Sequence, residues 1–251
     1  MSSFLMQLDP FWVALLSLGV YATVLLLFFK YGGQAGLYVY MAVAIIGANL
    51  QVLKVSYFEF LQSPVALGTA LFSSIYLATD LLSEYYNPAA ARKGVLLSFA
   101  ALLLWTILTT LLLAFAPLTP AQAGADYQWA LTIHPALIHL FQPVPAIFVA
   151  SLTAFLISQS LDIFIYSAIK KRTHSKWLFV RNNFSTILST LIDNAVFSFI
   201  AFVLLAKNPI ATKELIFTYI LGTYALRILY ALLDTPFIYL ARFFKPKALR
   251  L

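Results

Sequence analysis

The chain has 251 residues, of which 62% are hydrophobic and 10% charged, and it contains no cysteine. A soluble domain carries about 25% charged residues and about 45–50% apolar ones, so a soluble enzyme, a disordered chain and a disulfide scaffold are excluded. The formal net charge of +7 would suggest nucleic acid in a soluble protein, but in a membrane protein it is a topology signal.

A bilayer core about 30 Å thick needs about 20 apolar residues of helix. Segments at 11–29, 36–53, 65–83, 94–116, 143–168, 186–206 and 214–241 meet or approach that length. The first has no basic region before it and is too long for a signal peptide, so it reads as a retained span. Breaks are expected at Gly32-Gly33, Ser63-Pro64, Asn87-Pro88, Pro117 to Pro120, Thr173-His174 and Asn208-Pro209. The last segment is long enough to tilt or to break at Pro236.

Charge counting orients the spans. With the N-terminus outside, the inner side holds Lys30, Arg92, Lys93, Lys170, Lys171, Arg172, Lys176, Arg181, Arg242, Lys245, Lys247 and Arg250. The outer side holds only Lys54, Lys207 and Lys213, while Arg227 lies within a span. The long 117–142 loop has neither Lys nor Arg, as an external loop should. The expected fold class is therefore an all-α integral membrane protein. It is a single membrane domain, 1–251, with about seven transmembrane helices, N-out and C-in. Any chemistry must sit among those helices.

Polar residues within the spans should face the bundle interior, because each charged one costs about 2.5–3.5 kcal/mol at a helix centre. In the third segment Thr69, Ser73, Tyr76, Asp80 and Ser83 form one helical stripe that ends near Glu84. Gln159, Asp162 and Tyr166 share a face of the fifth. The sixth carries Ser185, Ser189 and Asp193 beside Thr186, Thr190 and Asn194, in a stripe leading from Asn182-Asn183. The seventh carries Tyr219, Thr223, Arg227, Tyr230 and Asp234, and Asn49 lies one turn before the end of the second. Five helices turning polar groups one way imply a central polar cavity.

Each candidate also has a plainer reading. Ser and Thr in membrane helices commonly bond their own backbone. Gln159 can simply satisfy Asp162, and Asp193 with Arg227 can form a buried pair that holds two helices together. Asp80 and Glu84 can clamp the loop bearing Arg92 and Lys93, and Asp234 can snorkel to the inner surface. Catalytic readings fare worse. His134, His139 and His174 lack metal-ligand spacing, no two acids sit at such spacing on one helix, and no nucleophile elbow or phosphate-cradling loop is present. No catalytic residue, metal or cofactor is expected.

Two stretches carry more than physical pattern. LATDLLSEYYNPAAARK, residues 77–93, ends a membrane helix in T-D-x-x-x-E-x-Y and enters a short A-R-K loop. The other is SQSLDIFIYSAIKKRTHSKWLFVRNNFSTILSTLIDNAVFSFIAF, residues 158–202. Together with Asn49 and Arg227 they resemble the queuosine-precursor transporter family, also called the vitamin uptake transporter family. The resemblance covers about 36–251 as a six-helix transporter core, with 11–29 as an extra N-terminal helix.

The resemblance implies an importer of 7-deazaguanine bases, such as 7-cyano-7-deazaguanine, its aminomethyl relative or queuine, across the bacterial inner membrane for tRNA queuosine modification. A carboxylate would accept the paired ring and amine N–H donors of such a base, and Asn, Gln or Arg would meet its carbonyl and ring nitrogen. The expected substrate-binding set is Asn49, Asp80, Glu84, Gln159, Asp162, Asn182, Asp193, Asn194 and Arg227. Asp193 or Asp162 is favoured for the guanine-like edge because both lie deep in their spans, and the Asp193–Arg227 pair is a candidate gate. The expected partners are the base and the lipid bilayer, without nucleic acid, and the sequence leaves open whether the chain forms a homodimer. Two alternatives remain: the substrate-binding component of an energised vitamin or nucleobase uptake complex, and an intramembrane metal-dependent enzyme.

Overall fold

A computed structural model describes residues 7–59, 62–141, 145–206 and 208–249. Lys207 and Arg250 of the charge count, and the first two residues of the fifth expected span, lie outside the described residues.

Helix α1 (Pro10–Gln51) starts with proline in its first turn, where Asp9 accepts from the Phe11 amide at 2.8 Å. It is not a single rod. Gly33 adopts φ 56° and ψ −134°, and a Cβ on Gly36 would lie 2.1 Å from the Phe28 carbonyl oxygen. The chain doubles back there with its two arms in backbone contact, which only glycine permits. Gln51 accordingly reaches the Tyr21 hydroxyl at 2.9 Å, whereas a straight helix would hold the two about 45 Å apart. The arms, 10–32 and 34–51, correspond to the first two expected spans.

Strands β1 (Val55–Phe58) and β2 (Ser63–Ala66) form a small antiparallel hairpin with Val55 opposite Ala66. The third span therefore begins later than expected, as α2 (Thr69–Tyr85). Gly68 turns the chain into it with φ 93°, where a Cβ would lie 2.7 Å from the Ala48 carbonyl oxygen. Asn87 caps α3 (Pro88–Ala114) by accepting from the Ala90 amide at 2.8 Å. The 117–142 connection, read as a loop, holds α4 (Pro120–Ala123), closed by a Thr119–Gln122 capping box, and α5 (Gln128–Phe141). Its apolar runs are too short to span a bilayer but long enough to wind.

Helix α6 (Pro145–Arg172) is followed by α7 (Leu178–Phe199), which continues as a π-helical turn over Ile200–Leu204. The sixth span was expected from 186, so α7 starts eight residues earlier, because Arg181 is buried rather than exposed in the basic loop. The chain ends with α8 (Thr212–Glu214), a π-helical stretch (Leu215–Gly222), α9 (Thr223–Leu240) and two short 3₁₀ turns. Helix α9 runs through Pro236 without ending there.

Among the described residues, five helices are long and apolar enough to cross a membrane: α1, α3, α6, α7 with its π turn, and the last, over Tyr219–Phe244. The protein is an all-α membrane protein. Helix α2 has 17 residues and is buried along nearly its whole length, packed against α1, α3, α6 and α9. Across the bundle the usual pattern of burial is inverted. Leu97, Leu104, Ile107, Leu108 and Leu111 of α3 are exposed, while Asp80, Gln159, Asp162, Arg181 and Asp193 are buried. That distribution suits a lipid surround and a polar interior. Basic residues gather at one end, where Lys30 lies 5.8 Å from the Phe244 ring and Lys245 lies 5.3 Å from the Tyr85 ring.

Candidate functional site

Four helices meet around the polar interior. On α6 and α7 the pairs Ser158–Asp193, Asp162–Ser189 and Tyr166–Arg181 run in opposite sequence directions, so the two helices are antiparallel. Helix α2 contributes Tyr76, Asp80 and Glu84 at one-turn intervals, and α9 contributes Arg227 and Asp234 two turns apart. The result is three polar layers stacked along the bundle.

The layer nearer the β-hairpin is an ion pair. Arg227 Nη1 donates to Asp193 Oδ2 at 2.5 Å, Ser158 donates to Asp193 Oδ1 at 2.9 Å, and the Arg227 guanidinium lies 5.4 Å from the Phe72 ring centre. Both oxygens of Asp193 are therefore engaged. Asn194, one residue on, donates to Thr223 Oγ1 at 2.9 Å and to the Ile220 carbonyl at 3.1 Å, tying α7 to the start of the last helix. Asn49 accepts from Ser151 at 3.3 Å, on a turn of α6 seven residues before Ser158, about 10 Å along the axis.

The middle layer is acidic. Asp80, Asp162 and Asp234 are all buried, from α2, α6 and α9. The Ser189 and Thr186 hydroxyls lie 3.1 and 3.4 Å from Asp162 Oδ1, and Asn182 donates to Asp234 Oδ1 at 3.4 Å. The Thr79–Gln159 and Glu84–Tyr166 hydrogen bonds join α2 to α6 on either side of this pair and set Asp80 alongside Asp162. Neither oxygen of Asp80, nor Asp162 Oδ2, nor the Asn182 carbonyl oxygen has a hydrogen-bond donor among the described residues. Gln159 accepts from Thr79 at 3.3 Å, leaving its Nε2 without an acceptor. A buried polar group without a partner costs about 1–3 kcal/mol, and chemically this layer can accept several N–H groups and donate one.

The layer at the basic end is a second ionic cluster. Glu84 pairs with Arg181 Nη2 at 2.7 Å and with Lys170 at 3.2 Å, and it accepts from the Tyr166 hydroxyl at 2.9 Å. Arg181 Nη1 also donates to the Ser175 and Lys176 carbonyls at 3.0 and 2.8 Å, and Lys170 donates to the carbonyls of Ser83 and Glu84.

Two sequence expectations are corrected here. Glu84 clamps the loop between α6 and α7, not the one bearing Arg92 and Lys93, because the side chains of Lys170 and Arg181 turn inward to it. Asp234 does not snorkel; it is buried and held by Asn182.

Asp80, Asp162 and Asn182 of the expected binding set thus share the middle layer with Asp234, and Gln159 borders it through Thr79. Asp193 and Arg227 lie toward one end, Glu84 toward the other, and Asn49 and Asn194 nearer the β-hairpin end. Arg181, Lys170 and Ser158, outside the expected binding set, complete the two ionic layers. Arg181 had a readable signal, since 181, 185, 189 and 193 continue one helical stripe at intervals of four. A separate cavity of about 510 Å³ opens between the first arm of α1, the β-hairpin and α9, lined by residues that include Tyr21, Gln51, Phe58, Leu226 and Tyr230. It contains none of the nine residues of the expected substrate-binding set.

Residues 66–241 match the family model described as "Putative vitamin uptake transporter". The chain is 35% identical over 224 residues to a Bacillus subtilis (strain 168) protein named "Probable queuosine precursor transporter", an alignment covering 89% of this chain and 90% of that one. No solved structure matches the chain.

Proposed function

We propose that this chain, which belongs to the vitamin uptake transporter family, imports 7-deazaguanine queuosine precursors across the bacterial inner membrane. Its family and its apolar helices make it a multi-pass transporter rather than an enzyme. The substrate class rests on the name of the Bacillus subtilis relative together with the chemistry of the middle layer. Candidate substrates are 7-cyano-7-deazaguanine, its aminomethyl relative and queuine.

The observation that carries the reading is the donor-free carboxylate of Asp80 at the centre of the bundle. A guanine-like edge presents a ring N–H beside an exocyclic amine, and a carboxylate with both oxygens free accepts the two together. Asp193, favoured from its depth in the sequence, has both oxygens committed to Arg227 and Ser158. Asp162 has one oxygen beside Ser189 and Thr186. Asp80 is therefore assigned the edge, with the free Gln159 amide donating to the base carbonyl and the Asn182 carbonyl accepting a further N–H.

The two flanking ionic layers serve as gates. With the N-terminus outside, Asp193–Arg227 closes the outer path and Glu84 with Lys170 and Arg181 closes the inner one. The remaining expected residues, Asn49 and Asn194, support the helices that carry the outer gate.

The test is rescue. A bacterial strain unable to make queuosine precursors, supplied with external 7-cyano-7-deazaguanine and this protein, regains queuosine in its tRNA. Loss of rescue in Asp80→Asn at normal membrane levels supports the site, and absence of rescue by the wild-type chain overturns the substrate class.

A further inference from the structure

We infer that Asp80, Asp162 and Asp234 together form a proton-binding site linked to the base, so that a proton enters with each base imported. This rests on the import reading and adds its energy source. Three helices deliver three buried carboxyls to one layer: α7 holds Asp162 through Ser189 and Asp234 through Asn182, and Asp80 lies between the Thr79–Gln159 and Glu84–Tyr166 contacts that join α2 to α6. The nearest fixed positive charges are already paired, Arg181 with Glu84 and Arg227 with Asp193.

A second, independent observation is the surplus of acceptors. Asn182 presents its amide at this layer by donating from Nδ2 to Asp234, and its carbonyl oxygen is left without a donor, as are both Asp80 oxygens and Asp162 Oδ2. A proton on a carboxyl converts one acceptor into a donor and removes one of the like charges. The titratable and charged groups of the three layers, on the helices packed around Asp162, are Tyr76, Asp80 and Glu84 of α2, Tyr166 and Lys170 on its own helix, Arg181 and Asp193 of α7, and Arg227 and Asp234 of α9. Among the described residues, Glu84 and Asp193 each have a paired base and the carboxyls of the trio do not.

The base sets the direction of the linkage. It binds to Asp80 as carboxylate and expels water from the layer, and without water two adjacent carboxylates repel more strongly. Asp162 then takes up a proton on Oδ2, forming one O–H bond, with the proton drawn from the outer medium. When the layer opens inward and rehydrates, that bond breaks and the proton leaves to water with the base. The net movement is one base and one proton inward, so the proton gradient drives uptake.

Calorimetric titration of the purified full-length protein with 7-cyano-7-deazaguanine, at one pH in two buffers of different ionisation heat, counts the protons. Wild type is expected to take up about one proton per base, and whatever base Asp162→Asn still binds to bring no proton with it. In liposomes holding a pH-sensitive dye, adding the base outside is expected to acidify the lumen. Base binding without proton uptake in wild type overturns the inference, as does the same proton count in Asp162→Asn or uptake that follows a sodium gradient instead. If Asp162→Asn does not fold, the wild-type count and the lumen signal decide alone. Absence of both binding and uptake of the base overturns the import reading itself.

Discussion

The Asp193 carboxylate and the Arg227 guanidinium meet at 2.5 Å between α7 and α9, with Ser158 of α6 holding the carboxylate's other oxygen. Three helices are joined at one point. Breaking a buried pair by removing one partner leaves a stranded charge and costs about 3–5 kcal/mol, whereas removing both charges is far better tolerated. Arg227→Met alone is therefore expected to lower the unfolding temperature in detergent, and Arg227→Met with Asp193→Leu to recover most of the loss. Thermal unfolding of the purified variants checks this, and equal damage in the single and the double variant would sink it.

Asp80 behaves in the opposite way. Its carboxylate is buried without a donor, so Asp80→Asn removes a costly charge and is expected to leave the unfolding temperature unchanged or raised. Uptake is expected to fall about 10–100-fold, the worth of a hydrogen bond to a charged group. A variant that loses stability and transport together would show that Asp80 holds the fold instead.

The hairpin in α1 depends on close backbone contact. Gly36→Ala would press a methyl against the Phe28 carbonyl oxygen, whereas a Cβ on Gly32 meets nothing within 4 Å. Gly36→Ala is expected to reduce the amount of folded protein recovered from membranes severalfold, and Gly32→Ala to leave it near wild type. Size-exclusion chromatography of the solubilised protein reads the difference.

Because the chain has no cysteine, single introduced thiols report its orientation without background. With the N-terminus outside, Lys54→Cys reacts with an impermeant maleimide on intact cells, while Lys93→Cys and Lys247→Cys react only after lysis. Labelling in the reverse pattern would invert the assignment of the two gates.

Much of this architecture was legible because it depends on period and punctuation. Gly33 marked the hairpin turn, Asn87-Pro88 marked a cap, and the stripes on α2, α6, α7 and α9 located the buried acids. Arg181 was misplaced for a physical reason. Hydropathy treats every arginine as a loop residue, and only the arrival of Glu84 from another helix makes its burial tolerable. The β-hairpin was hidden for a related reason: Val65 and Ala66 are apolar, and their extended pairing with Ser56 and Val55 depends on contacts beyond any local pattern. The division of labour among the acids could not be read from depth alone, because it depends on which oxygens already have partners.

Arg181 and Asp193 sit on the same helix, twelve residues apart in the chain, or about 18 Å along the axis. Each anchors one of the two ionic layers, and the acidic layer lies between them. On the gating proposed above, helix α7 acts as a lever with a latch at either end and the cargo near its fulcrum. A tilt that draws Arg181 away from Glu84 presses Asp193 toward Arg227, and the reverse tilt does the opposite. Mutual exclusion of the two openings then needs no signal relayed through the protein, because it follows from the stiffness of one helix.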